Sequence, residues 1–239
     1  MTPLSIFIGY DERESDAYDV CRASLLRHAT RSLHIVRLDQ DPLRRAGWYR
    51  REWRQEGENR VDMGDLKPFS TGSAFTRFLV PALSLYRGWA LFCGSDFLFT
   101  SDIAELFDMA DERFAVRVVK HEHKPVERTK MGGIVQSPYT RKNWSSLVLW
   151  NCGHPDNAML TGHIVNEWAG GWLHAFSWLR DDQVGDLPLR WNWLAGVNPD
   201  LGIVPAGIHY TLGVPSMPGC ADTPHADRWR AARASLSAT

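Results

Sequence analysis

No stretch of the 239-residue chain is apolar for the roughly 20 residues a membrane-spanning helix needs. Cysteine is scarce. Cys21, Cys93, Cys152 and Cys220 stand far apart with no C-x-x-C pair, which argues against a disulfide framework and for a reduced, cytoplasmic chain. An excess of one charge is also missing: 27 Lys and Arg face 28 Asp and Glu, so no general affinity for nucleic acid or anionic membrane is implied. The first residues, M-T-P-L-S-I-F-I-G-Y, have no basic region ahead of the apolar stretch and no small-residue cleavage site, so no signal peptide is expected. There is no internal repeat and no low-complexity linker, and 1–239 reads as one large α/β domain. What the chain has in plenty is tryptophan, eleven in all. Such rings either fill a core or form walls on which the C–H face of a sugar can stack.

The stretch Gly88–Phe107 reads as a strand, Trp89–Cys93, that runs into a small-residue turn and delivers Asp96. Asp96 either caps its own turn or places a metal or a sugar. A second apolar run, Phe97–Phe99, and a helix opened by Ser101 or Asp102 follow. Upstream, Leu4–Gly9 is an unbroken apolar run ending in Gly9-Tyr10-Asp11. Asp11 and Glu14 have capping-box spacing, and Ala17, Val20, Cys21 and Leu25 keep a helical period up to the strand Leu33–Leu38. This β-α-β opening predicts a parallel sheet with a ligand at the C-terminal ends of its strands.

Residues 41–66 read as an insertion or surface helix. Ser70–Tyr86 reads as one helix kinked at Pro81, with Arg77 either paired or turned toward an anion. Phe114–Lys120 and Ser145–Trp150 read as strands, the second ending at Asn151-Cys152-Gly153. Between them, Lys120, Lys124, Arg128, Lys130, Arg141 and Lys142 face only Glu122 and Glu127, a loop that is either solvated or able to neutralise a phosphate. His121 and His123 alone cannot complete a zinc set. Thr161–Ala169 reads as a helix stopped by Gly170-Gly171, Ile203–Tyr210 as a last strand, and the tail after about 222 as a weakly anchored helix. Asp11, Asp96, Asn151 and His209 all fall at strand ends, which suggests one site at one sheet edge.

From Ile6 to about Pro215 this order resembles the family-eight glycosyltransferases. That resemblance implies a GT-A-type Rossmann-like domain, with a mixed, mostly parallel central sheet flanked by helices. Gly9-Tyr10-Asp11 matches the family's base-contacting turn, and Arg77 in F-T-R-F-L-V-P matches the arginine that reaches the donor. Cys93-Gly94-Ser95-Asp96 stands at the metal-holding D-x-D strand end, with Gly94 replacing the first Asp. Asn151-Cys152-Gly153 and Asp182-Gln183 look like the elements beside the donor sugar, with Leu187-Pro188 and Trp191-Asn192 following in order. His209-Tyr210-Thr211-Leu212-Gly213-Val214-Pro215 resembles H-x-x-G-x-x-K-P-W without its lysine.

The resemblance implies transfer of a hexose, with retention, from a nucleotide-diphosphate sugar, most often a UDP-sugar, to an acceptor it does not define. It implies Mn²⁺ or Mg²⁺ held by Asp96 and His209, and donor contacts from Tyr10, Asp11, Arg77, Ser95, Lys120 and Gly213. Asp182 would form or shield one face of the sugar, unless the acceptor attacks on the side the leaving group departs from. Asn151 and Gln183 would position hydroxyls. The alternative is a non-catalytic nucleotide-sugar-binding protein with a degenerate metal motif. A sugar nucleotidyltransferase would need a glycine-rich first loop, and only Gly9 is there.

Overall fold

The computed structural model describes residues 2–57, 59–122, 141–199 and 202–236, with the backbone alone of 129–130 and 134–135. The chain opens as predicted, with β1 (Leu4–Gly9), the helix Ser15–His28 and β2 (Leu33–Leu38). The segment expected as an insertion or surface helix is not a single helix. It holds a short helix, Gln40–Arg45, and then a small antiparallel sheet of β3 (Trp53–Glu56), β4 (Asn59–Asp62) and β5 (Pro68–Phe69). Its strands are too short to show a period. The hairpin is fixed by a tertiary contact: Arg51 Nε lies 2.6 Å from Asp62 Oδ1, with side chains 2% and 1% exposed. Arg51 Nη1 also donates to the carbonyls of Val165 and Trp168.

The remaining strands are β6 (Trp89–Cys93), β7 (Phe97–Phe99), β8 (Val116–Val118), β9 (Thr129–Lys130), β10 (Ile134–Val135), β11 (Leu147–Asn151), β12 (Val184–Asp186), β13 (Trp193–Leu194) and β14 (Gly207–His209). The main sheet runs β12-β8-β11-β6-β1-β2. Every neighbouring pair in it is parallel except the two that involve β11, which is antiparallel to β6 and β8. Both faces are covered, which is why its strands read as unbroken apolar runs. Ala90 and Phe92 pack with Phe75, Phe78 and Trp150 on one face. Leu91 and Cys93 pack with Tyr18, Cys21, Leu25 and Phe97 on the other. A smaller sheet, β13-β14-β7, lies beyond the Cys93 end of β6.

Ser70–Tyr86 is three short pieces: Ser73–Thr76, a 3₁₀ turn Arg77–Leu79, and Val80–Leu83. Pro81 cannot donate to the carbonyl of Arg77, and its ring crowds that carbonyl, so a continuous α-helix is broken there. The expected helix is there as Gly162–Glu167, capped by Thr161, and Gly170-Gly171 beyond its end open a second short helix, Gly170–His174. The tail is firmly docked: in the helix Ala226–Leu236, Trp229 is buried among Ala17, Val20, Leu98, Ile208 and Tyr210. Tyr210 also donates to the carbonyl of His225 at 2.8 Å, and Arg233 pairs with Asp16 at 3.3 Å. Only Ala226 and Trp229 of this helix are buried, too few to show a face in the sequence.

Gly207 sits where a Cβ would fall well inside contact with the main-chain carbonyl of Trp191. Backbone cannot give way as a side-chain tip can. Gly207→Ala is therefore expected to cost about 2–3 kcal/mol through overpacking. The check is a lower urea midpoint with an unchanged slope.

Candidate active site

β6 and β1 end at one edge of the main sheet, and β11 begins there. A cavity of about 340 Å³ opens at that edge. Gly94, Ser95, Asp96 and His209 line one side; Ser73, Arg77, Ser145 and Ser146 line another; Asp65, Lys67, Pro68 and Phe69 of the hairpin segment and Gly170, Gly171 and His174 close it. Lys67 and Lys142 add positive charge to its wall.

β14 pairs antiparallel with β7, which carries His209 against Phe97, the residue after Asp96. His209 Nε2 lies 3.0 Å from Asp96 Oδ2, and the imidazole stacks on the Phe97 ring at 4.5 Å. The two residues assigned as metal ligands therefore meet. Among the described residues no group of three or more His, Cys, Asp or Glu is arranged to hold a metal. Asp96 and His209 offer two donors to an ion that takes about six oxygen or nitrogen ligands, so the donor set suits such an ion only together with oxygens of a bound substrate. Gly94 bears on this directly, because a Cβ there would run into Asp96 Oδ1. The bend that replaces the first Asp also leaves room for the second to fold back onto His209.

Arg77 donates from Nη1 to the carbonyl of Ser145 (2.7 Å) and from Nε to that of Ser73 (2.9 Å), with its guanidinium 4.9 Å above Phe92. It ties the cavity wall to the start of β11 and places a buried positive charge there. Ser95 also lines the cavity. Sequence reasoning missed Ser145 and His174, whose Oγ and Nδ1 are 2.7 Å apart. Burial, then the charges of Arg77 and Arg51, push His174 down to about 3, so it is neutral in the physiological range. Nothing in the sequence around His174 marks it, since it reaches the cavity only through the docking of its short helix.

Several expected site residues lie elsewhere. Asp11 does cap the 3₁₀ turn Glu12–Glu14. Its carboxylate, however, accepts from Arg13 N, Nε and Nη2, from Arg60 Nη1 and Nη2, and from Gly72 N, at 2.7–3.3 Å. Burial alone would raise its pKa. The Arg13 hydrogen bonds and the Arg60 charge outweigh that and hold it below the usual carboxylate range. This acid staples the hairpin to the end of β1 and has no lone pair left for a base. Tyr10 packs under Arg37, 4.3 Å from its ring centre, and does not line the cavity. Lys120 pairs with Asp186 at 3.2 Å in a separate recess with Arg141 and Trp144. Gly213, at φ +131°, lies where a Cβ would come 2.7 Å from Cys220 Sγ and 3.2 Å from Met217 Sδ. His123, Lys124 and Arg128, and the side chain of Lys130, lie outside the described residues.

The largest correction concerns Asn151, Asp182 and Gln183. β11 runs against its neighbours, so Asn151 pairs with Trp89, at the start of β6, while Leu147 pairs with Cys93. Four residues of strand put it roughly 13 Å from the cavity edge. There its Nδ2 donates to Glu112 (3.0 Å) and to the carbonyl of Phe114 (3.3 Å). Gln183 precedes β12 at the same far edge, with its carbonyl accepting from Ala115 N and its side chain bonded to Asp156 and Arg180 N. Asp182 is exposed beside Arg180. None of the three lines the cavity.

Glu14 is a further acid near Asp96 that sequence reading treated as a cap. Burial, then the charges of Asp96 and Asp11, raise its pKa to about 7. A carboxyl that holds its proton more tightly in the folded state loses stability for the fold as pH rises from about 4.5 to about 7. Glu14→Gln is expected to be neutral at pH 4 and to stabilise at pH 8 by on the order of 1–2 kcal/mol, allowing for its partial exposure. Urea unfolding at the two pH values checks this.

No family model matches the chain. Its fold is shared with solved glycosyltransferases at low identity. Against LgtC, a galactosyltransferase solved with donor and acceptor sugar analogs, the TM-score is 0.57 at 14% identity, over 97% of this chain and 96% of that one. Against GlyE of Streptococcus pneumoniae TIGR4 it is 0.60 at 13%, over 98% and 60%. Against the bifunctional glycosyltransferase WbbM it is 0.56 at 14%, over 97% of this chain and about half (52%) of that one. The sheet order, the flanking helices and these likenesses define a GT-A-type α/β fold. Within it, the chain belongs to the family of Protein CDI of Arabidopsis thaliana, being 43% identical to it over 231 residues, 95% of this chain and 85% of that protein. Among the described residues no helix is long and apolar enough to cross a membrane.

Proposed function

We propose that the protein is a glycosyltransferase that moves a hexose from a nucleotide-diphosphate sugar, a UDP-sugar in the first instance, to an acceptor hydroxyl with retention. The observation that carries this reading is the meeting of Asp96 and His209 on the wall of a cavity that also holds Arg77. The neighbours that share the fold support it, LgtC having been solved with donor and acceptor sugar analogs. The four cysteines are buried free thiols, in keeping with the reducing cytoplasm.

In this reading the diphosphate lies between Asp96 and Arg77. Asp96 and His209 would hold Mn²⁺ or Mg²⁺ jointly with its oxygens, and a bound cation would supply charge neutralisation to the departing diphosphate. Arg77, Lys67 and Lys142 add fixed positive potential on the same wall. Ser145, Ser146 and Asn143 offer hydrogen bonds to the sugar, over a floor kept uncharged by neutral His174. Among the described residues, the carboxylates lining the cavity are Asp65 and Asp96, and Asp65 accepts from Gly170 N at 2.8 Å. With Asp182 on the far edge, retention through a carboxylate nucleophile loses its candidate. Attack on the face the leaving group vacates is the route this site favours.

Gly94 in place of the first Asp favours one second reading, a nucleotide-sugar-binding protein without turnover. A thermal-shift panel of nucleotides and UDP-sugars with and without Mn²⁺, followed by release of nucleotide diphosphate with an acceptor panel, separates the two. Saturating ligand at a hundredfold excess over Kd adds about 2.7 kcal/mol. A shift with turnover supports the transferase, a shift without turnover supports the binding protein, and no shift with any nucleotide overturns both.

A further inference from the structure

Asn192 is fully buried directly behind His209, on the side away from Asp96. Its amide has one possible orientation. Nδ2 lies 3.3 Å from the carbonyl of Asn143 and 3.0 Å from Ser146 Oγ. The Ser146 hydroxyl gives its own proton to that same carbonyl, at 2.6 Å, so toward Asn192 it can only accept. An amide turned the other way would set Oδ1 against a carbonyl and an accepting hydroxyl. Asn192 Oδ1 therefore faces His209 Nδ1, 2.9 Å away, and can only accept from it. His209 must carry a proton on Nδ1, and its other nitrogen, Nε2, is the one presented to Asp96 and the cavity. Phe97 fixes the ring plane from one side.

We propose that Asn192 is a positioning residue: the chain Asn143–Ser146–Asn192 locks His209 in the Nδ1–H form, so that its ligating nitrogen always faces Asp96 and whatever cation joins them. The use of that nitrogen rests on the transferase reading above, whereas the lock itself does not. Residues that hold the back nitrogen of a ligating histidine alter metal affinity by roughly 10–100-fold when removed.

The test uses three full-length proteins: wild type, Asn192→Leu, and Asn192→Asp, which keeps an acceptor for Nδ1–H. Ser146→Ala is added as a milder variant that loosens the amide without emptying its place. Histidine ¹⁵N NMR of the free proteins reads the state of His209 with no ligand. The expected result is a protonated Nδ1 in wild type and Asn192→Asp, and a mixture or reversal in Asn192→Leu. A wild-type His209 with unprotonated Nδ1, or an Asn192→Leu signal identical to wild type, overturns the lock. If Asn192→Leu does not fold, Ser146→Ala decides, with a mixed population expected and a wild-type spectrum overturning it. Mn²⁺ binding with UDP present, read by electron paramagnetic resonance, is expected to weaken about 10–100-fold in Asn192→Leu and to recover at least partly in Asn192→Asp. Absence of Mn²⁺–UDP binding in wild type with a protonated Nδ1 would sink the metal-dependent transferase reading and leave the lock standing.

Discussion

Asp96→Ala is expected to lower sugar transfer by about a thousandfold with little loss of fold, and His209→Ala by a similar factor with a further stability cost of about 1–3 kcal/mol, because it leaves the buried Asn192 amide oxygen without its donor. Asp96 is a partly exposed turn residue, so its removal leaves no cavity in the core. In the proposed transferase the substitution would remove one of the two described residues assigned to hold a cation at the leaving group. Each factor of ten corresponds to about 1.4 kcal/mol of transition-state stabilisation. A thousandfold is then about 4 kcal/mol, within the several kcal/mol that a cation contributes at a phosphoryl oxygen. Because the two would hold that cation jointly, each single variant should already lose nearly all of the effect, and the double variant should fall little further. Rates of nucleotide diphosphate release for the singles and the double, with unfolding curves beside them, check this. Additive losses of a thousandfold each would show that the two residues act separately.

Arg51→Met should have the largest effect on stability, about 3–5 kcal/mol. The Arg51–Asp62 pair is a two-point contact, 2.6 and 2.8 Å, almost wholly shielded from water. Asp62 Oδ2 also accepts from Gly64 and Asp65, and Arg51 stacks 3.9 Å over Phe75. Removing the arginine strands a buried carboxylate, which costs far more than the intact pair contributes over an apolar replacement. Arg51→Met/Asp62→Leu should therefore recover much of the loss. The hairpin carries Asp65, Lys67, Pro68 and Phe69 into the cavity wall, so the single variant should weaken donor binding along with the fold. Urea unfolding of the singles and the double, with nucleotide titrations, measures both.

The β-α-β opening, the strand at Trp89–Cys93 and the placing of Asp96 beside His209 at a strand end were legible, because long apolar runs and strand-end polar residues survive as local signals. The direction of β11 was not. A strand end marked by Asn151 looks the same in sequence whichever way the strand runs, and the reversal moves that side chain across the sheet. The hairpin was hidden for a different reason, its stability coming from one buried ion pair instead of a periodic face. Asp11 shows a third limit. Its spacing foretold a cap, but the arginine that helps saturate it comes from residue 60, which local pattern cannot place. Ser145 and His174 met through the packing of a five-residue helix with no motif of its own.

His209 and Asp96 are 113 residues apart, and everything between them must be threaded before β14 can lie against β7. Contacts of such separation are the slow ones in folding, because loop closure has to precede any gain from them. The main sheet joins β1, β2 and β6 well before this. During refolding the protein should therefore gain most of its secondary structure ahead of any affinity for a nucleotide. During synthesis the cavity stays incomplete until residue 209 and the strand that carries it have left the ribosome. On the proposed reading, nucleotide binding would be a late clock of folding, and a chain stalled short of β14 would be expected to form its sheet yet stay blind to nucleotide.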